Sequence, residues 1–539
     1  MKTAEKILVV FMLLLLILPA IQKEFSLFRV KSLNGDFEYV EKPSFSWNTW
    51  FDGSFQSAFD TWLEENIGFR NAFIRITNQV DYSLFTIPHA EGVVICKEKQ
   101  LIEFDYIRAY DGGDFLGEAT IDKRIRKLKF VQKHLKTAYD IDFVLVFEPG
   151  KASFYPEFIP DKYLTRDNPK TNYDYFVKSA KEYDVRFIDF NAWFKKMKGT
   201  TSYPLYPRYG THWSEYGMSF AADSLVNYLE FIRQIDMNDV FIDSLEVQVH
   251  ARKPDYDMGA ALNLLFRLPE SDSLAYPVWR FENNPDKPKP MVLTIADSYY
   301  WNIYNTGIPH HLFANQSFWY FGNLVYPEYW KNPTFATNLN LKEEVEKQDI
   351  ILMMITERFL HKFDFALVDN LYKIYAPQSI YDKVYQYKSE IWIFTEWIDK
   401  VIEKAEKRKV PFSEVLDKEA KYVYHMKEPE NYMTFRGQEH YEESIRADDH
   451  WLNLVDEKAK ERGISLDEMI HLESDYMFKT NYPDAYARYI KLNEFKNSIR
   501  NDSSWLSHVQ DKANTYYLSL EEMLQIEAEY LLTTSGSQN

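Results

Sequence analysis

Two patterns of hydrophobic residues alternate along the first 375 positions of the chain. Apolar runs, which predict buried strands, occupy residues 93–95, 101–102, 143–147, 291–295 and 350–355, and residues 186–190 are predicted as a further strand. Apolar residues that recur every three or four positions, which predict amphipathic helices, occupy residues 121–138, 173–183 and 214–232. Because strands alternate with helices, we predict an α/β domain with a largely parallel sheet flanked by helices.

Residues 388–539 follow another pattern, an internal repeat with a period of 54 residues. Identical residues recur at this spacing: Trp397, Trp451 and Trp505; Val401, Val455 and Val509; Lys404, Lys458 and Lys512; Ala405, Ala459 and Ala513; Glu414, Glu468 and Glu522; Tyr422, Tyr476 and Tyr530. We interpret this region as three all-α helical-hairpin repeats. A short hairpin cannot bury its apolar face alone, so the repeats should pack on each other or on the preceding domain.

Each repeat is predicted to contain two helices. The first helix begins at a capping residue, which is Thr395, Asp449 or Ser503. The second helix begins with a capping box at residues 465–468 and again at 519–522. In the first repeat a proline, Pro411, replaces the capping serine, which weakens that cap.

The N-terminus combines positive charge with an apolar run. Lys2 and Lys6 precede the apolar residues 7–21, and no small-x-small cleavage site follows. We interpret residues 1–27 as an uncleaved signal anchor, with an unusual signal peptide as the alternative. In both cases the rest of the chain is exported, and residues 28–380 form the α/β domain. Aromatic and aliphatic residues between positions 51 and 85, including Phe73, Ile76 and Val80, also recur at helical spacing.

Charge and cysteine content exclude several functional classes. The formal net charge is −18, which argues against a nucleic-acid partner, because phosphate binding requires clustered Lys and Arg. Cys96 is the single cysteine, so a disulfide framework and a cysteine-built metal site are excluded. His310 and His311 have no third ligand at a suitable spacing. We therefore expect neither a metal nor a cofactor.

Two segments carry the candidate chemistry. Ser298 follows the predicted strand 291–295, and His212 lies within Tyr209–Ser214. A serine hydroxyl is a weak nucleophile until a neighbouring imidazole accepts its proton. The pair predicts nucleophilic acyl chemistry, provided that the fold brings the hydroxyl and the imidazole within proton-transfer distance.

Six segments form an ordered set across residues 50–365: Asn66–Arg70, Val93–Phe104, Pro149–Pro160, Pro204–Gly217, Ile295–Tyr299 and Ile355–Leu360. In this order they resemble the exported alginate O-acetyltransferase family, the AlgX/AlgJ-like branch of the SGNH hydrolases. The resemblance implies an SGNH-hydrolase-like fold. It also implies that Ser298 is the nucleophile that accepts an acetyl group, and that His212 is the general base. Asp297 matches an acidic residue that shapes the nucleophile turn, and the Ser298 N–H is a candidate oxyanion donor.

One position departs from the family pattern. The family's acid lies two residues before the histidine, where this chain has Gly210. A Ser298–His212 dyad with a backbone carbonyl that orients the ring is one interpretation. In a second, Glu215 or Glu357 supplies the missing carboxylate, and in a third the activity is lost.

Arg358 is a further supporting candidate, for binding an anionic sugar or for pairing with a buried acid. The resemblance implies an O-acetyltransferase that moves acetyl groups to hydroxyls of a cell-surface or secreted polysaccharide through an acyl-serine. It implies a membrane-bound O-acyltransferase as the acetyl-supplying partner. We expect a single-pass protein of the bacterial inner membrane with its catalytic domain in the periplasm. The alternatives are a polysaccharide acetyl esterase and a catalytically impaired carbohydrate-binding scaffold.

Overall fold

A six-stranded sheet lies at the centre of the α/β domain in the computed structural model, which describes residues 3–35, 40–376 and 383–536. The strands of the domain are β1 (Val93–Ile95), β2 (Leu101–Glu103), β3 (Asp142–Glu148), β4 (Phe187–Asp189), β5 (Val240–Gln248), β6 (Leu274–Phe281), β7 (Val292–Ala296), β8 (Phe318–Tyr320), β9 (Leu324–Tyr326) and β10 (Ile350–Thr356). The central sheet has the order β4-β3-β10-β7-β8-β9, and only β9 pairs with its neighbour in antiparallel fashion. The predicted α/β class with a mostly parallel sheet is thereby confirmed.

Helices lie on both faces of this sheet. Those that precede residue 377 are α1 (Thr3–Phe25), α2 (Trp47–Phe51), α3 (Ser54–Asn66), α4 (Arg70–Val80), α5 (Phe104–Tyr110), α6 (Glu118–Tyr139), α7 (Lys151–Phe154), α8 (Asn172–Glu182), α9 (Phe190–Met197), α10 (Glu215–Arg233), α11 (Asp257–Ala261), α12 (Tyr300–Asn305), α13 (Ile308–Leu312), α14 (Leu341–Glu346) and α15 (Leu367–Tyr375). Within α1, residues 6–25 are long and apolar enough to cross a membrane. The predicted domain end at residue 380 lies outside the described residues.

Two hydrophobic cores form because successive side chains of a strand point to opposite faces. In β3, Phe143 and Leu145 join the core beneath α6 and α15, whereas Val144 and Val146 join the core beneath α10. Every residue of β3, β7 and β10 is buried, which explains why these strands are continuous apolar runs in the sequence.

Two pairs of strands were absent from the sequence prediction. The ribbon of β5 and β6 was missed because the apolar run of β5 is only three residues long and Pro277 interrupts the apolar residues of β6. The short β8 and β9 contain three residues each, too few to establish a period.

The C-terminal region is helical, as predicted. Its helices are α16 (Lys383–Ile393), α17 (Thr395–Arg408), α18 (Phe412–Lys427), α19 (Pro429–Ala447), α20 (Asp449–Arg462), α21 (Leu466–Asn481), α22 (Pro483–Asn501), α23 (Ser503–Thr515) and α24 (Leu520–Gly536). The first two repeats contain three helices each, so the prediction of two per repeat was wrong. The additional helices, α19 and α22, have no counterpart after α24 within the described residues. The repeat was defined by residues that recur in all three copies, so it could not reveal helices that occur in only two of them.

The helix caps also differ from the prediction. Asp448 and Asp502, rather than Asp449 and Ser503, accept hydrogen bonds from Trp451 N at 2.9 Å and Trp505 N at 3.0 Å. The first helix of the first repeat has Phe394 at its cap position and no side-chain cap. A carboxylate reaches two or three residues forward to the first free N–H groups, which places the cap one residue before the helix.

The repeats pack both on each other and on the sheet domain. A lysine-glutamate pair recurs in each copy, with Nζ–Oε1 distances of 2.6 Å for Lys404–Glu419, 2.9 Å for Lys458–Glu473 and 2.7 Å for Lys512–Glu527. At the far end, Glu522 of α24 pairs with Lys123 of α6 at 2.8 Å and with Arg126 at 3.1 Å. The repeat region is therefore attached to α6 at its far end.

Candidate functional site

Ser298 lies immediately beyond the carboxyl end of β7 and two residues before α12. In a parallel sheet the carboxyl ends of the strands form one edge, where ligands usually bind. In this sheet β7 lies between β10 and β8, and all three strands are parallel, so their carboxyl ends lie at the same edge. Ser298 is half-buried, whereas Asp297 before it and Tyr299 after it are fully buried.

The imidazole of His212 reaches the Ser298 hydroxyl. His212 Nε2 lies 2.9 Å from Ser298 Oγ, although the two residues are 86 positions apart. Two neighbours of His212 fix its backbone: Trp213 is fully buried, and Ser214 Oγ caps α10 by accepting from Gly217 N at 2.9 Å. The structure therefore brings together the two side chains on which the sequence hypothesis depends.

A carboxylate contacts the other ring nitrogen of His212. Asp257 Oδ2 lies 3.4 Å from His212 Nδ1, and Asp257 Oδ1 accepts hydrogen bonds from Thr211 N at 2.8 Å and Met258 N at 2.7 Å. These backbone donors hold the carboxylate against the ring. Ser298, His212 and Asp257 together have the geometry of a serine triad.

Gly210 explains why the carboxylate comes from another segment. A Cβ at residue 210 would lie 2.8 Å from Asp255 O and 2.6 Å from Pro207 Cγ. Side-chain carbons essentially never approach a backbone oxygen so closely, so the chain has no room for a side chain here. The segment that carries Asp257 occupies the space where a side chain at residue 210 would lie.

The two glutamates considered from the sequence lie elsewhere. In the described part of the chain, no hydrogen bond or ion pair joins His212 to Glu215 or Glu357. Burial raises the pKa of the Glu215 carboxyl, opposed by Arg252. Glu357 is fully buried against Gly150, and burial raises its pKa, opposed by Lys195. Of these three carboxylates, only Asp257 contacts the ring of His212 in the described structure.

Asp297 faces the protein interior. Its Oδ1 accepts from Tyr299 N at 3.0 Å, and its Oδ2 accepts from Thr356 N at 2.9 Å and Thr356 Oγ1 at 2.7 Å. These bonds tie the nucleophile turn to the end of β10. Burial raises the pKa of Glu148, the last residue of β3, and the neighbouring Asp297 raises it further.

Arg358 pairs with Glu103 and lies over the ring of Tyr106, with 4.8 Å between the guanidinium carbon and the ring centroid. Burial lowers the pKa of Arg358 to about 10. Of its two predicted roles, this geometry corresponds to pairing with an acid.

Lys151 is a site residue that the sequence analysis did not single out. Its fully buried Nζ donates to three carbonyl oxygens of the loop before His212, namely Pro207 O at 2.8 Å, Arg208 O at 3.1 Å and Gly210 O at 2.6 Å. Burial lowers the pKa of Lys151 to about 7, while Asp257 opposes this shift. One side chain therefore fixes the loop that orients His212.

The sequence analysis also missed Asp257, because no sequence motif marks this residue as a partner of His212. It lies 45 positions after His212 in a short helix of five residues. No motif spacing links such distant residues.

His310, considered as a metal ligand, instead contacts Gln316 at 2.6 Å, and His311 stacks on Phe281. Among the described residues, no group of three or more His, Cys, Asp or Glu is arranged to hold a metal ion.

Residues 110–265 match the family profile described as SGNH hydrolase-like domain, acetyltransferase AlgX. The matched stretch includes His212 and Asp257 and ends before Ser298. A search of curated proteins finds no match.

Several solved structures are similar to part of this chain. The O-acetyltransferase domain of Pseudomonas putida AlgJ is 19% identical with a TM-score of 0.34, over 52% of this chain and 99% of that one. Pseudomonas aeruginosa AlgX is 15% identical with a TM-score of 0.33, over 52% of this chain and 67% of that one. Bacillus cereus PatB1 with a sulfonyl adduct is 12% identical with a TM-score of 0.32, over 52% of this chain and 99% of that one.

Proposed function

We propose that this protein is an O-acetyltransferase with Ser298 as its nucleophile, because residues 110–265 match the profile of the SGNH hydrolase-like acetyltransferase AlgX domain. The observation that carries the proposal is the position of His212, whose ring lies between the hydroxyl of Ser298 and the carboxylate of Asp257. This arrangement supplies a nucleophile, a base and an orienting acid.

In the first half-reaction, Ser298 Oγ attacks the carbonyl carbon of an acetyl donor while His212 Nε2 accepts the hydroxyl proton. The bond between the acetyl carbon and the donor oxygen or sulfur breaks, and His212 returns the proton to that leaving group. The product is an acetyl ester on Ser298. The Ser298 N–H is the proposed donor to the oxyanion that forms in the transition state.

In the second half-reaction, a hydroxyl of the acceptor attacks the acetyl ester. His212 accepts the acceptor's proton and passes it to Ser298 Oγ as the ester bond to the serine breaks. Asp257 accepts the Nδ1–H of His212 throughout, which selects the tautomer with a free Nε2 and stabilises the imidazolium.

We infer that the acceptor is a sugar hydroxyl of a cell-surface or secreted polysaccharide, and that α1 anchors the protein with this domain in the periplasm. The apolar residues 6–25 and the AlgX-type domain support this inference. An exported domain has no access to cytosolic acetyl donors. A membrane-bound O-acyltransferase that carries acetyl groups across the bilayer is therefore the partner we propose.

The acyl-enzyme is directly testable with purified protein and a chromogenic acetyl ester. We expect mass spectrometry to find one added acetyl group on the peptide that contains Ser298, and to find none in Ser298→Ala. Ser271→Ala is the matched control, because this serine is exposed on a loop away from β7. Acetylation that persists in Ser298→Ala would refute the proposed nucleophile.

The same assay separates transfer from hydrolysis. Adding a polysaccharide acceptor should divert acetyl groups from water to sugar hydroxyls, which NMR of the polymer detects. Release of acetate alone, at a rate unaffected by acceptor, would instead identify an esterase. Unchanged polymer acetylation in cells that express Ser298→Ala would leave only a non-enzymatic role.

A further inference from the structure

Helix α4 packs on the domain with its polar side and presents its apolar side outward. Phe73, Ile76 and Val80 lie on one face, and each is almost half exposed. On the opposite face, Arg75 and Asn78 are buried. This is the reverse of the usual amphipathic arrangement, in which the apolar stripe faces the core.

Hydrogen bonds to backbone carbonyls account for the inward polar face. Arg75 donates to Leu264 O at 3.0 Å and to Ser32 O at 2.8 Å, and Asn78 Nδ2 donates to Leu262 O at 3.0 Å. These bonds fix the rotation of α4 about its axis. None of the buried hydrophobic clusters in the described chain includes the three outward side chains.

Aromatic side chains around α2 form a second exposed apolar patch, joined to α4 through α3. Trp47 is 67% exposed and Phe51 is 81% exposed, and Phe45 and Trp50 are exposed as well. The rings contact one another, with 5.3 Å between the centroids of Phe45 and Trp47 and 6.0 Å between those of Trp47 and Phe51. We call the residues Phe45, Trp47, Trp50, Phe51, Phe73, Ile76 and Val80 the N-terminal apolar surface.

The turn between α3 and α4 sits on the carboxyl end of α1. A Cβ on Gly68 would lie 2.8 Å from Lys23 N, so glycine permits the close approach of the turn to α1. Lys23 Nζ donates to Asn66 Oδ1 at 3.0 Å, and the rings of Phe28 and Phe69 lie 5.8 Å apart. The N-terminal apolar surface is therefore attached to the end of the apolar helix.

We propose that the N-terminal apolar surface inserts into the interfacial region of the lipid bilayer beside α1. The proposal rests on the membrane anchor included in the proposed function. A span that ends at Phe25 places the attached turn at the level of the lipid headgroups. Tryptophan and phenylalanine are favoured at this level, and clusters of exposed apolar side chains mark interaction sites.

This contact orients the reaction site. The carbonyl groups that α4 binds belong to Leu262 and Leu264, which directly follow α11, and α11 begins with Asp257. Insertion of α4 therefore positions the segment that carries Asp257 relative to the membrane.

The depth at which the N-terminal apolar surface lies in the bilayer can be measured with nitroxide labels on the full-length chain in lipid nanodiscs. Cys96 is buried, so Trp47→Cys and Ile76→Cys provide the reactive thiols. We expect both labels to be more accessible to oxygen than to a water-soluble nickel chelate. Tyr422→Cys is the matched control, because Tyr422 is 63% exposed on the distant repeats and should show the opposite preference.

Each result supports or refutes the bilayer contact. Nickel accessibility at residues 47 and 76 equal to that at residue 422 overturns the proposal. Shielding of both labels from both reagents, seen only when the membrane-bound acyltransferase is present, would identify a protein interface instead. Extraction of the protein from membranes by alkaline carbonate would refute the anchor itself.

A substitution links the contact to function. Ile76→Asp should lower polymer acetylation in cells several-fold, because a carboxylate is excluded from the interface. Hydrolysis of a soluble acetyl ester by the same purified variant should be unchanged, which separates this effect from failure of the proposed chemistry. Full acetylation in cells by Ile76→Asp would contradict the inferred role of the surface.

Discussion

The reaction site and the helical repeats are built in opposite ways. At the site, Ser298, His212 and Asp257 come from three segments, and each contact occurs once. In the repeats, the pair Lys458–Glu473 has an equivalent in both neighbouring copies. A contact made once has no substitute when it is lost, whereas a contact made in every repeat is one of several equivalent ones.

The repeats also contain a comparison of their own. Glu468 and Glu522 occupy the same position in the same capping box, but Glu468 is exposed, whereas Glu522 pairs with Lys123 and Arg126 of α6. The same glutamate in equivalent capping boxes therefore contributes differently to stability, according to which residues lie opposite it. Five expected outcomes test these comparisons, in order of decreasing effect.

Asp257→Asn should reduce kcat by about 10⁴-fold, because an amide cannot stabilise the imidazolium and favours the wrong histidine tautomer. Steady-state hydrolysis of an acetyl ester measures the effect. Asp243→Asn is the control, because this aspartate pairs with Arg280 on the exposed ribbon. Retention of more than about a tenth of the activity by Asp257→Asn would favour a dyad oriented by a backbone carbonyl.

Lys151→Met should reduce kcat by about 10²-fold with little change in KM, because the loop before His212 loses three hydrogen bonds and the ring shifts. Lys198→Met is the matched control, since Lys198 also donates to a carbonyl, Phe154 O at 2.6 Å, but lies away from the histidine loop. An equal loss in both variants would indicate general destabilisation.

Lys151 should also make the free energy of unfolding depend on pH. Because the pKa of Lys151 is lowered to about 7 from 10.5, the unfolded chain binds more protons than the folded chain between these values. Its contribution to the free energy of unfolding therefore rises with pH between about 7 and 10.5. Denaturant titrations should find this rise in the native protein and a smaller one in Lys151→Met.

Gly210→Asp, which restores an acid at the family position, should destabilise the fold by about 1–3 kcal/mol, since the new Cβ meets Asp255 O. Thermal or urea unfolding measures this loss. The same substitution placed in the Asp257→Asn background should not restore activity. Rescue in that double variant would show that the backbone of Asp255 moves away more easily than its packing implies.

Glu522→Gln should cost about 1–2 kcal/mol through the lost contacts to α6, whereas Glu468→Gln should change the free energy of unfolding by less than about 0.5 kcal/mol. Burial raises the pKa of Glu522, but Lys123 and then Arg126 outweigh it and lower the pKa to about 2. The stabilisation by Glu522 is therefore present above pH 4.5 and lost as the pH falls towards 2. Unfolding of the two variants across this range tests the difference.

Much of the fold was predictable from periodicity. The strands β3, β7 and β10 coincide with apolar runs to within one or two residues, because strands covered on both faces contain almost no polar positions. Strand β5 could not be predicted in this way, because it is mostly exposed and only its first three residues form an apolar run. The third helix of the first two repeats was missed because the third repeat has no equivalent helix among the described residues.

The candidate site was predictable only in part. Ser298 and His212 were found because each lies in a short motif with a known chemical role. Asp257 and Lys151 contribute through contacts that cross 45 and more positions of sequence, and neither lies in a motif that points to the histidine. Glu215 and Glu357 were reasonable candidates by residue type, yet neither contacts His212 in the described structure.

Local interactions are short in range, so the order of strands and helices, the repeat and the nucleophile turn were already specified by neighbouring residues. Which carboxylate lies beside His212 is determined only by the tertiary structure. Gly210 leaves no side chain in the space beside Pro207, the backbone of Asp255 enters that space, and the helix that follows presents Asp257 to the ring. Such a choice depends on which distant segments share one volume, and no periodicity along the chain encodes it.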